Sequence, residues 1–202
     1  MGGVCSRVGR AKVLSTPAKN SKVQLPYDFY QEYAIPIMNK ADVGEDKTKI
    51  PGVLGTGAFS TVLKCIHKST GDIRAVKFVE KKKMLGLRSR RAADKIVSEL
   101  HRGIKLLRNL SHPGIIQFYD FYENNSAMAV VLEYGRGGEL YFVIVKLGQL
   151  TELQTVAITK QLITAVSYLH SMGFVHRDIK PENIVRKFKK DFFAIAPLVL
   201  RH

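Results

Sequence analysis

Two regimes of apolar patterning divide the chain. From residue 50 the apolar runs are short and broken by glycine. "VLGTGAFSTVLKCIH" predicts a strand, a glycine turn and a second strand of β-branched alternation. "DIRAVKFVE" predicts a further strand, whose period of two puts Ala75, Lys77 and Val79 on one face. "AMAVVLEYGRGGEL" reads as a buried strand running into a glycine-relaxed hinge. Beyond it the period lengthens: Leu153, Val156, Ala157, Ile163, Val166 and Leu169 form the stripe of a helix and are expected to face a core. Before residue 50, "VQLPYDFYQEYAIPIMNKADVGEDKTK" reads as a linker with an aromatic patch, Tyr27, Phe29, Tyr30 and Tyr33, able to dock on the folded body or on a partner.

Charge adds a direction to this picture. The 202 residues carry 32 Lys and Arg against 17 Asp and Glu, a formal charge of +15, which favours phosphate-bearing partners. Residues 1–22 hold Arg7, Arg10, Lys12, Lys19 and Lys22 and no acid. No aromatic residue interleaves with these bases, so a specific nucleic-acid interface is not expected. No apolar run reaches the ~18 residues of a spanning helix. Cys5 and Cys65 supply neither a disulfide framework nor metal-ligand spacing, and no secretory core opens the chain, so a reducing cytoplasmic compartment is expected.

The first six residues, "MGGVCS", fit the myristoylation pattern, with Gly2 followed four residues later by Ser6. One acyl chain anchors a protein only marginally, and stable attachment needs a second signal. Cys5 can take palmitate, and the basic run can meet an anionic surface. The expectation is a peripheral protein on the cytosolic face of a membrane, lipidated at Gly2 and Cys5. The alternative is an unmodified basic tail.

In the glycine hairpin, Gly55 and Gly57 allow the backbone to approach a phosphate chain, although a tight hairpin alone also explains them. A small residue and a lysine, Ala75 and Lys77, on an adjoining face suit an adenine ceiling and a phosphate contact. The strongest pattern comes later, in "HRDIKPEN" at residues 176–183. Together these stretches resemble the protein kinase family, in the variant found in the calcium/calmodulin-dependent group, over about residues 50–185.

That resemblance implies an α+β fold, a complete kinase-like N-lobe (an antiparallel five-stranded sheet plus a helix) with an incomplete helical C-lobe. It implies an ATP site of Leu54, Gly55, Gly57, Ser60, Val62, Ala75 and Lys77, closed at the hinge by the backbone of Glu133 and Gly135 behind the gatekeeper Leu132. Glu139 would contact ribose or a basic residue of the substrate. Asp178 would orient the substrate hydroxyl and accept its proton, Lys180 would steady the transferring phosphate, and Asn183 would hold Mg2+. His176 and Arg177 would brace the loop. The lysine two places after Asp178 resembles serine/threonine kinases.

Three departures accompany the resemblance. Ser60 stands where many members have a third glycine. The glutamate that should pair with Lys77 falls on Gly103, leaving Glu99, one helical turn earlier, as the candidate and equally as an ordinary solvated charge. The second metal carboxylate has Asp191 of "DFF" as its one candidate, and Asp191 is set aside: Phe193 replaces the expected glycine, and the interval from Asn183 is short of the about a dozen residues that two strands and a turn need. "RKFKKDF" is also too polar for a buried strand.

The expected organisation is an acylated basic extension and linker (1–49), an N-lobe (50–134), a partial C-lobe through the catalytic loop (135–185) and a tail unlike kinase sequence (186–202). The expected function is a membrane-anchored serine/threonine protein kinase acting on protein with ATP and Mg2+, in a chain truncated or misread at its end and weakly active or inactive. The alternatives are a lipid-tethered pseudokinase that binds nucleotide or a partner, and an unstable fragment.

Overall fold

The computed structural model describes residues 13–14, 25–36, 52–57, 60–81, 83, 90–187 and 192–196. Gly2, Cys5 and Asp191 lie outside the described residues, as does most of the basic N-terminal run. In chain order the elements are β1 (Val13–Leu14), α1 (Phe29–Glu32), β2 (Tyr33–Pro36), β3 (Val53–Thr56), β4 (Ser60–His67) and β5 (Ile73–Glu80). Then come α2 (Arg90–Leu107), β6 (Phe118–Glu123), β7 (Ala127–Glu133), α3 (Leu140–Leu147), α4 (Glu152–Ser171), a 3-10 turn (Pro181–Asn183), β8 (Ile184–Arg186) and β9 (Phe193–Ile195).

Alternation along β4, β5 and β7 builds an antiparallel sheet. β4 pairs β5 from Ser60↔Val79 to Ile66↔Ile73, and β5 pairs β7 from Arg74↔Glu133 to Glu80↔Ala127. β6 closes one edge against β7, and β3 lies along the other edge with a bulge between Val53 and Gly55. These are the five expected strands. Two more come from before them: β2 pairs the same edge of β4, with Tyr33↔His67 and Ala34↔Ile66, and β1 pairs β2.

The period of two gives the sheet two apolar faces. On the inner face Val79 and Met128 pack on Leu100 of α2, while Val130 and Leu132 join Ile104, Leu107, Ala165 and Leu169 from α2 and α4. On the outer face Leu63, Cys65, Val76, Phe78, Ala129 and Val131 meet Leu25, Phe29, Tyr30 and Tyr33. The aromatic stretch read as linker therefore docks on the body. Phe29 stacks on Tyr33 at 5.2 Å between ring centroids. The Tyr33 hydroxyl donates to the Asp120 carboxylate and accepts from Arg74. Burial, reinforced by the Asp120 bond, pushes the Tyr33 hydroxyl far above its ordinary range. Burial likewise pushes the Cys65 thiol up to about 12, which makes it an inert core residue.

Two further expectations change. α4 starts at a capping box, with Thr151 and Gln154 bonding reciprocally. However, its core face is Ile158, Leu162, Ala165 and Leu169, whereas Leu153, Val156, Ala157 and Ile163 are exposed. Periodicity finds apolar positions on this helix but cannot say which of two apolar arcs the neighbours cover. Nor is the chain after Val185 outside the fold. β8 and β9 form a hairpin with Ile184↔Ile195 and Arg186↔Phe193, and Phe193, Ala194 and Ile195 are buried. Ile195 N–H donates to Gly114 O at 2.8 Å, and Phe193 N–H to Gln161 Oε1 at 2.8 Å. Arg186 ends β8, and the apolar "FAI" that follows the polar stretch is β9.

Candidate nucleotide and catalytic site

The glycine hairpin turns where Gly57 N–H donates to Ser60 O at 2.7 Å. A Cβ at Gly57 would stand 3.1 Å from Ser60 Oγ, so the serine that replaces a third glycine packs against the turn. At Gly55 nothing lies within 4 Å of a Cβ position, and the turn itself does not require glycine there. Register lines up Gly55, Val62, Lys77 and Val130 across the sheet, and Lys64, Ala75 and Leu132 in the next row. Both rows lie on the inner face that Val79 shares, and Val79 touches Leu100, the neighbour of Glu99 in sequence. Lys77 and Glu99 are both half-buried, and a Cβ at Gly103 would meet open space. Leu54 is exposed at the hairpin edge.

At the hinge, close contact explains the glycines. A Cβ at Gly135 would come within 1.9 Å of Val185 Cγ1, and one at Gly137 within 2.5 Å of Arg186 Nε. Gly137 N–H donates to Arg186 O at 2.9 Å, and Arg186 N–H to Gly138 O at 2.8 Å, so β8 serves as the floor of the hinge. Glu133 N–H donates to Gln117 O at 2.8 Å, and its carboxylate holds Lys187 Nζ at 2.7 Å. The Glu133 side chain is thus committed to Gln117 and Lys187, the residues that flank β6 and β8. Glu139 caps α3 from an extended conformation, bridged to Val185.

The loop before β8 is held by three linked contacts. His176 is buried; its Nδ1 accepts from Asp178 N–H at 3.3 Å, and its Nε2 sits 2.9 Å from Ala196 O. One ring nitrogen accepts and the other donates, which fixes the Nε2–H tautomer. Arg177 takes a left-handed φ of 65°, a conformation that costs a non-glycine residue and turns the chain sharply ahead of Asp178. Asn183 Nδ2 donates at 2.7 Å to both Asp178 O and Asp178 Oδ2, and Lys180 Nζ lies 3.2 Å from Asp178 Oδ1. Asp178, Lys180 and Asn183 are therefore one unit with a carboxylate of fixed orientation. His176 braces it through Asp178 N–H and Ala196 O.

The donor set fits two Mg2+ ions poorly. Mg2+ takes hard oxygen ligands, with one or two carboxylates beside the substrate phosphates. Here Asn183 offers a neutral oxygen, and the Asp178 carboxylate is already engaged by Lys180 and Asn183. Among the described residues no group of three or more His, Cys, Asp or Glu could hold a metal. The residues missed from sequence are Gly137, Lys187 and Ala196. Gly137 and Lys187 gave no signal, because their partners are distant in the chain. Ala196 could have been found: about a dozen residues past Asn183 lands on it, through the apolar run "FAI".

Comparison with known proteins agrees with this geometry. The protein kinase domain family matches residues 49–196. The chain is similar to calcium-dependent protein kinase 5 of Plasmodium berghei, at 38% identity over 74% of this chain and 25% of that protein. It is also similar to the serine/threonine-protein kinase RAD53 of Saccharomyces cerevisiae (34% identity, 86% of this chain, 20% of that protein) and to death-associated protein kinase 2 of Mus musculus (35%, 87% and 42%). It thus spans less than half the length of each of these relatives. The crystal structure of Rad53 1–466 in complex with AMP-PNP matches with a TM-score of 0.62 at 34% identity, over 73% of this chain and 37% of that one.

Proposed function

This chain belongs to the protein kinase family, and from that premise we propose that it is the nucleotide-binding and substrate-orienting part of a serine/threonine protein kinase, held at the cytosolic face of a membrane through Gly2 and Cys5. The observation that carries the reading is the locked Asp178–Lys180–Asn183 unit, 3.2 and 2.7 Å between partners. A carboxylate fixed beside a lysine suits the acceptance of a proton from a substrate hydroxyl, while the lysine attracts the transferring phosphate. On the inner face Ala75 and Leu132 in one row and Val62 in the next supply an apolar slot for adenine, with Lys77 in the row of Val62 toward the phosphates. The Glu133 carbonyl and Gly135 N–H would bond its edge. Lys180 and the likeness to serine/threonine kinases support that acceptor class. "MGGVCS" and the acid-free basic run support the membrane part.

A second reading, a lipid-tethered module that binds nucleotide or a partner without turnover, is favoured by the weak metal donor set. Under either reading little phosphotransfer is expected from this chain.

One preparation tests the proposal. Protein purified from eukaryotic cells should carry acyl mass on Gly2 and Cys5 and bind AMP-PNP by calorimetry. Lys77→Ala should weaken binding about tenfold or more, a loss of about 1.4 kcal/mol, while Asp178→Ala binds like the parent. A chain that binds no adenine nucleotide would sink the kinase reading, and an unmodified mass would sink the membrane part.

A further inference from the structure

The hairpin after the catalytic loop fixes which residue faces Asn183. The ladder runs Arg186↔Phe193, Val185↔Ala194 and Ile184↔Ile195, and Ala196 N–H extends it by donating to Asn183 O at 2.8 Å. On its other side the Ala196 carbonyl meets His176 Nε2 at 2.9 Å. Ala196 is thus clamped between two residues of the catalytic loop. Ile184 and Ile195 point together into the core, 3% and 1% exposed. The next facing pair is Asn183, at the end of the 3-10 turn, and Ala196, half-buried beside the same core. Facing residues carry their Cβ atoms about 5 Å apart, so a short carboxylate at position 196 would share one cation with the Asn183 amide oxygen. Alanine brings no donor.

We infer that Ala196 leaves the metal site of this chain one carboxylate short, so that nucleotide binds here through lysines and backbone groups in a manner that does not depend on divalent metal. The electrostatics point the same way. Lys77 stands on the inner-face row and Lys180 beside Asp178, in a chain of formal charge +15. The Asp178 carboxylate already faces Lys180, and Asn183 is neutral. Asp178 and the exposed Glu182 are the loop's carboxylates; the first is already engaged, and the residue facing Asn183 adds none to draw a hard cation in beside the phosphates.

This inference rests on the nucleotide-binding reading and refines its site. AMP-PNP affinity is measured by calorimetry for the parent chain, for Ala196→Asp and for Ala196→Asn, each in EDTA and in excess Mg2+. The parent should bind equally well, within about twofold, in both buffers. Ala196→Asp should bind about tenfold or more tightly with Mg2+ than with EDTA, and Ala196→Asn should fall between. Mn2+ in place of Mg2+ gives a second readout, because its bound form in the Ala196→Asp complex has a distinct magnetic-resonance spectrum. A parent chain that gains tenfold or more from Mg2+ would overturn the inference while leaving the functional reading intact. So would an Ala196→Asp protein, folded by circular dichroism, with no metal dependence. No nucleotide binding by the parent in either buffer would overturn the functional reading and the inference with it. The parent comparison stands even where a variant fails to fold.

Discussion

β5 and β7 are covered on both faces by this chain's own residues, whereas α3 and α4 are covered on one. On the sheet, Val76, Phe78, Ala129 and Val131 are 1% exposed or less beneath the aromatic stretch. On the helices, Phe142 is 57% exposed, Val145 61%, Val156 58%, Ile163 62% and Leu153 83%. The sequence is apolar in both places, so composition does not make the difference. Coverage does. Residues 25–33 lie across the outer face of the sheet, and no described residue lies across the outer arc of α4. An apolar surface of this extent is a place for further contact or for aggregation. The sheet half is therefore expected to behave as an internally complete unit and the helical half as an adhesive one.

The sharpest way to break the comparison is to uncover the sheet. Phe29 is fully buried among Tyr30, Tyr33 and Tyr122. Phe29→Ala should cost about 3–5 kcal/mol of stability in urea unfolding; a loss below ~1 kcal/mol would mean that the patch rests on the sheet without supporting it. A smaller effect is expected at the contact between the halves. Gly135→Ala pushes a methyl into Val185 and should cost about 1–3 kcal/mol. Adding Val185→Ala should recover part of that loss, and no recovery would place the strain elsewhere in the hinge. The smallest effect is expected on the open arc. Leu153→Lys, Val156→Lys and Ile163→Lys together should leave stability within about 0.5 kcal/mol per site and lower light scattering on concentration. Loss of folding would show that this arc is buried in solution.

The catalytic loop was readable because its chemistry is local: within "HRDIKPEN" the histidine, aspartate, lysine and asparagine bond to one another across a few residues. The glycine hairpin, the lysine strand and the hinge were readable for a related reason, since strand alternation and glycine turns leave periods in the sequence. The partner of Lys77 was not, because α2 carries Glu99 and Gly103 one turn apart and periodicity puts both on one face.

By itself, then, the sequence determined β3, β4, β5 and β7, the hinge, the order of the catalytic loop and the family resemblance, all carried by patterns short in sequence. Two matters were decided by tertiary structure alone. The aromatic stretch at 25–33 became the roof of the sheet, and α4 buried one of its two apolar arcs. Each depends on which surface reaches another first across a long loop. An apolar residue has no preference among partners beyond the area it removes from water, so its pattern tells that it will be covered and leaves open by what.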